Sequence, residues 1–147
     1  MMLIREAERS DFPAIYDLMK NELGYPDLNE VEALKRLEYF KTSDDWETFV
    51  AVVDETVVGF IGVMKSLTYN IDGYYAQIMA LAVSTKSRRS GVGAALVKRV
   101  EEWSFSHGIN AIRVSSNKKR LDAHAFYEDL GYNKKSFSFV KTLQSRG

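Results

Sequence analysis

Apolar residues recur at two spacings along this chain, and the switches between them mark out the elements. Residues 3–7 are short and compatible with a strand. Phe12, Ile15, Leu18 and Met19 then recur at helical spacing to about Glu22, with Ser10 as the expected N-cap, Asp11 in the first turn and Pro13 tolerated there. Leu23-Gly24-Tyr25-Pro26 breaks that helix. Asn29 is placed to cap a second one, whose apolar face is Val31, Leu34, Leu37 and Phe40. A polar loop over 41–45 leads to two β-rich runs, 46–53 and 56–64, with Asp54-Glu55 as the tight turn of an antiparallel hairpin. Gly59 and Gly62 interrupt the second run, which marks a bulge or a close approach, and residues 67–70 could extend it. After the turn at Asp72-Gly73, Tyr74 leads into a central, antiparallel strand whose apolar run is 78–83.

A polar and basic stretch follows, Ser84 to Ser90, and then Gly91-Val92-Gly93 opens the longest helical pattern, with Val92, Ala95, Leu96, Val100 and Trp103 on one face. Gly108 is its expected stop, and His107 in the last turn is read as structural, since a helix end favours a cation there. Residues 111–115 form a strand expected to run parallel to the central one, because a crossover helix separates the two. Asn117 ends it. A helix over 121–130 carries Ala123, Phe126 and Leu130 on one face and stops at Gly131, and a last strand is expected at 135–143. The pattern therefore predicts a single α/β domain over 1–147. Its sheet is mixed and mostly antiparallel, with one parallel strand pair and about four helices.

Strand, basic loop, glycines at a helix start: this order already implies a ligand. Free N–H groups and the positive end of the helix dipole favour an anion. Glycine at 91 and 93 lets backbone approach it, and Arg88 and Arg89 add charge and donors suited to phosphate, so a pyrophosphate-bearing molecule is expected. The plainer alternative is a helix that begins with small residues beside a solvated loop. A P-loop would need Gly-Lys-Ser/Thr after the glycines, and a dinucleotide fold a third glycine where Leu96 stands.

Composition narrows this further. The chain has 147 residues, of which 46% are hydrophobic, and no apolar run long enough for a transmembrane helix. The charged start argues against a signal peptide. It has no cysteine, which excludes thiol nucleophiles and disulfides and fits a cytoplasmic protein, and its two histidines offer no metal spacing. Net charge is zero, against a general nucleic-acid binder. The charge is nevertheless divided: residues 1–60 hold 14 acidic and 6 basic side chains, and 61–147 the reverse, 6 and 14. That asymmetry suits a cationic substrate and an anionic cosubstrate meeting in one cleft, unless the halves interleave in space and cancel.

Two runs carry a family resemblance. Leu81–Val83 followed by Arg88-Arg89-Ser90-Gly91-Val92-Gly93 resembles the first signature of the GNAT superfamily of acetyl-CoA-dependent N-acetyltransferases, and Asn117 with Ala125-Phe126-Tyr127-Glu128-Asp129-Leu130-Gly131-Tyr132 resembles the second. The element order agrees from end to end. The resemblance implies acetyl-CoA in a V-shaped cleft between the central strand and the parallel strand after it, where the two splay. It implies that the Leu81 N–H meets the thioester carbonyl, that the strand backbone at Ala82 and Val83 takes pantetheine, and that Arg88, Arg89, Ser90, Gly91, Val92, Gly93 and Ala94 hold the pyrophosphate. Asn117 would bond the pantetheine amide or order a water, or is simply a strand-end turn residue.

The same resemblance makes Tyr127 the acid that protonates the leaving thiolate, with Phe126 packing beside it, unless Tyr127 is itself only a packing aromatic. Gln77 stands where some branches carry a basic glutamate. Glutamine takes no proton, so the base would be water, another carboxylate such as Glu22, Asp27, Asp44 or Asp45, or none if the amine arrives neutral. His124 reads as a half-buried or surface histidine. Tyr25, Gln77 and Phe137, with Leu23, Tyr69, Tyr74 and Phe139, fall where the family binds its acceptor, and acids beside aromatics suit a cationic amine. A homodimer is expected from aromatics on the last strand and at 69–75. Non-catalytic acyl-CoA-binding or nucleotide-binding modules are the competing functions.

Overall fold

The computed structural model describes residues 1–115, 121–136 and 138–143. The chain divides into two compact units, Met1–Val114 and Ser115–Gly147. The first holds five strands, β1 (Met2–Glu6), β2 (Trp46–Val53), β3 (Thr56–Ser66), β4 (Tyr75–Val83) and β5 (Ile112–Val114), and three helices, α1 (Phe12–Asn21), α2 (Glu30–Thr42) and α3 (Val92–Ser106). The strands form one sheet in sequence order, antiparallel from β1 to β4 and parallel between β4 and β5.

Alternation along each strand assigns two faces. Val50, Phe60 and Ala82 are buried with Phe12, Ile15 and Leu18 of α1 and Leu37 of α2. The other parity, with Phe49 and Ile61, meets α3, which buries Val92, Leu96, Val97, Val100 and Trp103. Gly59 lies on that side. A Cβ there would come within 3.1 Å of the Ala82 carbonyl oxygen and of Val92 Cγ1, so this glycine lets the start of α3 sit close on β3. The hairpin turn at Asp54 and Glu55 has both residues at positive φ, as a tight two-residue connection requires.

Caps and ends differ from the sequence reading in a few places. Ser10 is not the first N-cap. A short 3-10 turn, Arg9–Asp11, precedes α1, and the Asp11 carboxylate closes it by accepting from the Glu8 N–H at 2.8 Å. Asn29 caps α2 as expected, accepting from the Glu32 N–H at 3.0 Å. Residues 67–70 do not extend β3, which ends at Ser66; 67–74 form a loop. Both readings of the β3 glycines hold, one each, since the register between β3 and β4 shifts beside Gly62 while Gly59 makes the close approach.

The second unit contains α4 (Leu121–Asp129), which ends through Gly131 at φ 92°, with the Tyr132 N–H donating to the Tyr127 carbonyl at 3.0 Å. The last strand expected at 135–143 is not formed in its described residues, which show no ladder. Phe139, Val140 and Leu143 are exposed there.

Candidate active site

The β4–β5 ladder is only three pairs long, Ala76↔Ile112, Gln77↔Arg113 and Ile78↔Val114. Beyond Ile78, β4 continues for five residues with no strand partner on its β5 side among the described residues. What that edge offers depends on parity. Before this point the Ala76 N–H donates toward β5, to the Ala111 carbonyl at 2.9 Å. The register then passes from Val63↔Ile78 to Gly62↔Ala80, which leaves Met79 as an extra residue, half exposed at 48%. At the far end the Ser84 N–H donates to the Val58 carbonyl at 2.8 Å. In an antiparallel pair such bonds recur every second residue, so Ala82 and Ala80 also turn their backbone groups to β3. Leu81 and Val83 therefore turn theirs to the unpaired edge. The bulge at Met79 is what shifts the outward set from even to odd positions. Ala82 offers little to a ligand, with its side chain in the core and its backbone committed to β3.

Val83 leads into the basic stretch. Ser84 accepts from the Lys86 N–H at 3.4 Å and opens a 3-10 turn, Thr85–Ser87. The Ser90 hydroxyl donates to the Ser87 carbonyl. Arg89 and Gly91 both have positive φ, 65° and 83°. A positive φ is uncommon for a residue with a side chain, and such backbone tends to persist where the surroundings impose it. Gly91 is the N-cap of α3, and a Cβ on it would meet nothing within 4 Å. The first intrahelical bond runs from the Ala95 N–H to the Gly91 carbonyl at 3.0 Å, so the N–H groups of Val92, Gly93 and Ala94 have no partner within the helix. The first turn of α3 carries no acidic residue. Arg88 extends to α1, where its Nη2 donates to Glu22 Oε2 at 3.0 Å.

The remaining expected residues fall as follows. Tyr127 and Phe126 lie on α4, both half-buried, with their rings edge to face at 5.1 Å; the Tyr132 ring is also edge-on to Tyr127, at 5.9 Å. His124 is half-buried. Gln77 is half-buried on β4, paired with Met64 and Arg113. Tyr25 is exposed in the α1–α2 connection, which Tyr16 ties down by donating its hydroxyl proton to the Leu28 carbonyl at 2.9 Å. The sequence reading passed over that tyrosine. Asn117 and Phe137 lie outside the described residues. His107 is structural as expected: its Nδ1 lies 2.8 Å from the Trp103 carbonyl and its ring packs on Trp103. Among the described residues no group of three or more histidines, aspartates or glutamates could hold a metal ion. No described helix is long and apolar enough to cross a membrane.

Residues 8–132 match the Acetyltransferase (GNAT) family. The chain belongs to the GNAT acetyltransferases. The aminoalkylphosphonate N-acetyltransferase of Salmonella typhimurium is 28% identical over 144 residues, spanning 95% of this chain and 90% of that one. A transcriptional regulator from Bacillus halodurans superposes with a TM-score of 0.91 at 24% identity, covering 97% of this chain and 100% of the other. An aminoglycoside N-acetyltransferase solved with CoA superposes with a TM-score of 0.87 at 17% identity, covering 99% and 96%. Both structural likenesses speak for the fold. This GNAT chain is an acetyl-CoA-dependent acyltransferase, and acetyl-CoA is its cosubstrate.

Proposed function

We propose that this acetyltransferase moves the acetyl group of acetyl-CoA to the primary amine of a small cationic acceptor, such as a polyamine, an aminoglycoside or an amino-acid or peptide amine. The whole chain, 1–147, would act as one catalytic domain. The observation that carries the reading is the edge of β4 beyond Ile78, with the backbone of Leu81 and Val83 turned outward and the open N-terminus of α3 nine residues on. An extended, amide-bearing chain with a pyrophosphate at one end fits such an edge: the strand backbone takes the amides and the helix end takes the anion.

Acetyl-CoA supplies an activated acyl group on a thiol leaving group. The Leu81 N–H stabilises negative charge on the thioester oxygen, and Val83 holds the chain of the cosubstrate in register. The backbone N–H groups from Arg88 to Ala94, joined by the side chains of Arg88 and Arg89, hold its phosphates. Tyr127 gives its hydroxyl proton to the departing sulfur as the C–N bond forms and the C–S bond breaks. Gln77 cannot take the proton lost by the amine, so it goes to water or a carboxylate, unless the amine arrives neutral. Asn117 and Phe126 remain proposed cosubstrate contacts, and Tyr25, Gln77 and Phe137 proposed acceptor contacts. We also propose a homodimer, in view of the exposed Tyr69 and Tyr74, and a cytoplasmic location, in view of the cysteine-free composition.

Thiol release from acetyl-CoA, measured across a panel of amines, tests this reading. The panel runs from polyamines and aminoglycosides to amino-acid amines and aminoalkylphosphonates, the last because the Salmonella relative is named for them. Amine-dependent release is expected for at least one class. Tight CoA binding with no release on any amine would instead make the chain a binding module.

A further inference from the structure

Arg88, the arginine that opens the glycine signature, has its guanidinium on a carboxylate of this same chain. Nη2 donates to Glu22 Oε2 at 3.0 Å. Glu22 is the C-cap of α1, and its N–H donates to the Leu18 carbonyl at 2.8 Å. Its side chain is only 13% exposed, against 55% for Arg88. The C-terminal end of a helix carries partial negative charge, so a carboxylate there is disfavoured unless a cation answers it. Among the described residues, Arg88 makes the hydrogen bond that answers this one. Two negative features, the helix end and the carboxylate, thus draw the guanidinium toward α1.

A phosphate would bind Arg88 by the same kind of charge-assisted N–H···O bond. The carboxylate and the phosphates therefore compete for one cation. We propose that Glu22 is an internal counter-ion of Arg88 and limits the affinity of the site for the phosphates of acetyl-CoA. The inference rests on the reading above in which Arg88 helps to hold those phosphates. It also assigns Glu22 a job other than general base: it controls how freely Arg88 turns to the cosubstrate. A carboxylate that only positioned Arg88 would act in the opposite direction, because removing its charge would then weaken binding.

The sign of one substitution separates the two. Glu22→Gln keeps the shape and a neutral acceptor while removing the charge. CoA should bind Glu22→Gln about two- to fivefold tighter than wild type in low salt, the scale of an ion pair with one partner open to solvent. The gain should shrink as salt is raised. Arg88→Ala should bind CoA more weakly than wild type, and adding Glu22→Gln to it should restore little or nothing, since the two changes act through one pair. Titration calorimetry with CoA on the four proteins, each checked for a cooperative melt, gives the cycle. Equal or weaker binding by Glu22→Gln, with Arg88→Ala still impaired, would overturn the competition and leave the phosphate role of Arg88 standing. Wild-type affinity in Arg88→Ala would overturn both.

Discussion

Asp11 is a buried carboxylate placed on two sides of one problem. It closes the turn before α1 through the Glu8 N–H and takes two bonds from Arg5, at 2.7 and 3.0 Å. The Arg5 bonds hold its carboxyl below the ordinary value of 3.8, against the opposing effect of burial. A depressed carboxylate contributes stability that is whole above that value and is lost as pH falls below it. Asp11→Asn should therefore destabilise the protein at pH 7 by about 1.5–3 kcal/mol, the worth of a hydrogen bond to a charged group, and chemical denaturation at pH 7 and pH 3 should show the gap closing in acid. Glu47 is the reverse case. Burial, helped by the nearby Glu6 charge, raises it above the ordinary 4.5, so ionising it works against the fold. Its cost appears as pH rises past 4.5. Glu47→Gln should raise the melting temperature at pH 7 and lose that advantage below pH 4.5; a lower melting temperature at pH 7 would show that the carboxylate has a partner worth more than its desolvation.

At the scale of elements, the proposed site depends on a bulge and a helix start. The sequence announced the helix start, because glycines after a basic stretch carry their own backbone meaning. It announced the hairpin and the parallel crossover through length and alternation. Gly62 hinted at the bulge, but Met79, the residue that is displaced, sits within an unbroken apolar run, and only pairing across strands reveals it. For the same reason the outward direction of Leu81 and Val83 was available from the family resemblance alone. Local pattern also over-extended strands: 67–70 and 135–143 have β-compatible residues, yet a strand needs a partner and the described residues there have none. The Arg88–Glu22 pair joins residues 66 positions apart, beyond any window of local pattern. The helix start gives its own prediction. Gly91 and Gly108 both have positive φ, 83° and 69°, and open space where a Cβ would go. Alanine at either should cost about 1–2 kcal/mol of stability through the backbone alone. Only Gly91→Ala should also weaken CoA, by about tenfold, on the order of one lost charge-assisted hydrogen bond. Equal CoA affinity in the two variants would remove Gly91 from the phosphate site.

For the whole molecule, the acidic first 60 residues and the basic remainder now have addresses. The acidic part supplies β1, α1 and α2, including the α1–α2 connection with Tyr25; the basic part supplies the stretch after β4 and the start of α3. They do not stay apart, since Glu22 and Arg88 meet, so the charge asymmetry cancels at that point. The proposed homodimer is checked by light scattering at micromolar concentration, where a monomer mass would rule it out. The proposed acyl transfer uses the β4 edge for the thioester and Tyr127 for the leaving sulfur. Tyr127→Phe isolates it, because the ring that packs against Phe126 and Tyr132 remains and only the hydroxyl goes. The measurement is thiol release from acetyl-CoA with the best amine, on wild type and Tyr127→Phe side by side across pH, with CoA affinity determined for both. The account predicts a kcat lower by about 10²–10⁴-fold, the usual worth of a positioned general acid, with CoA affinity unchanged and the alkaline fall of the wild-type rate absent. Equal rates in the two proteins would contradict it and leave Tyr127 as a packing residue.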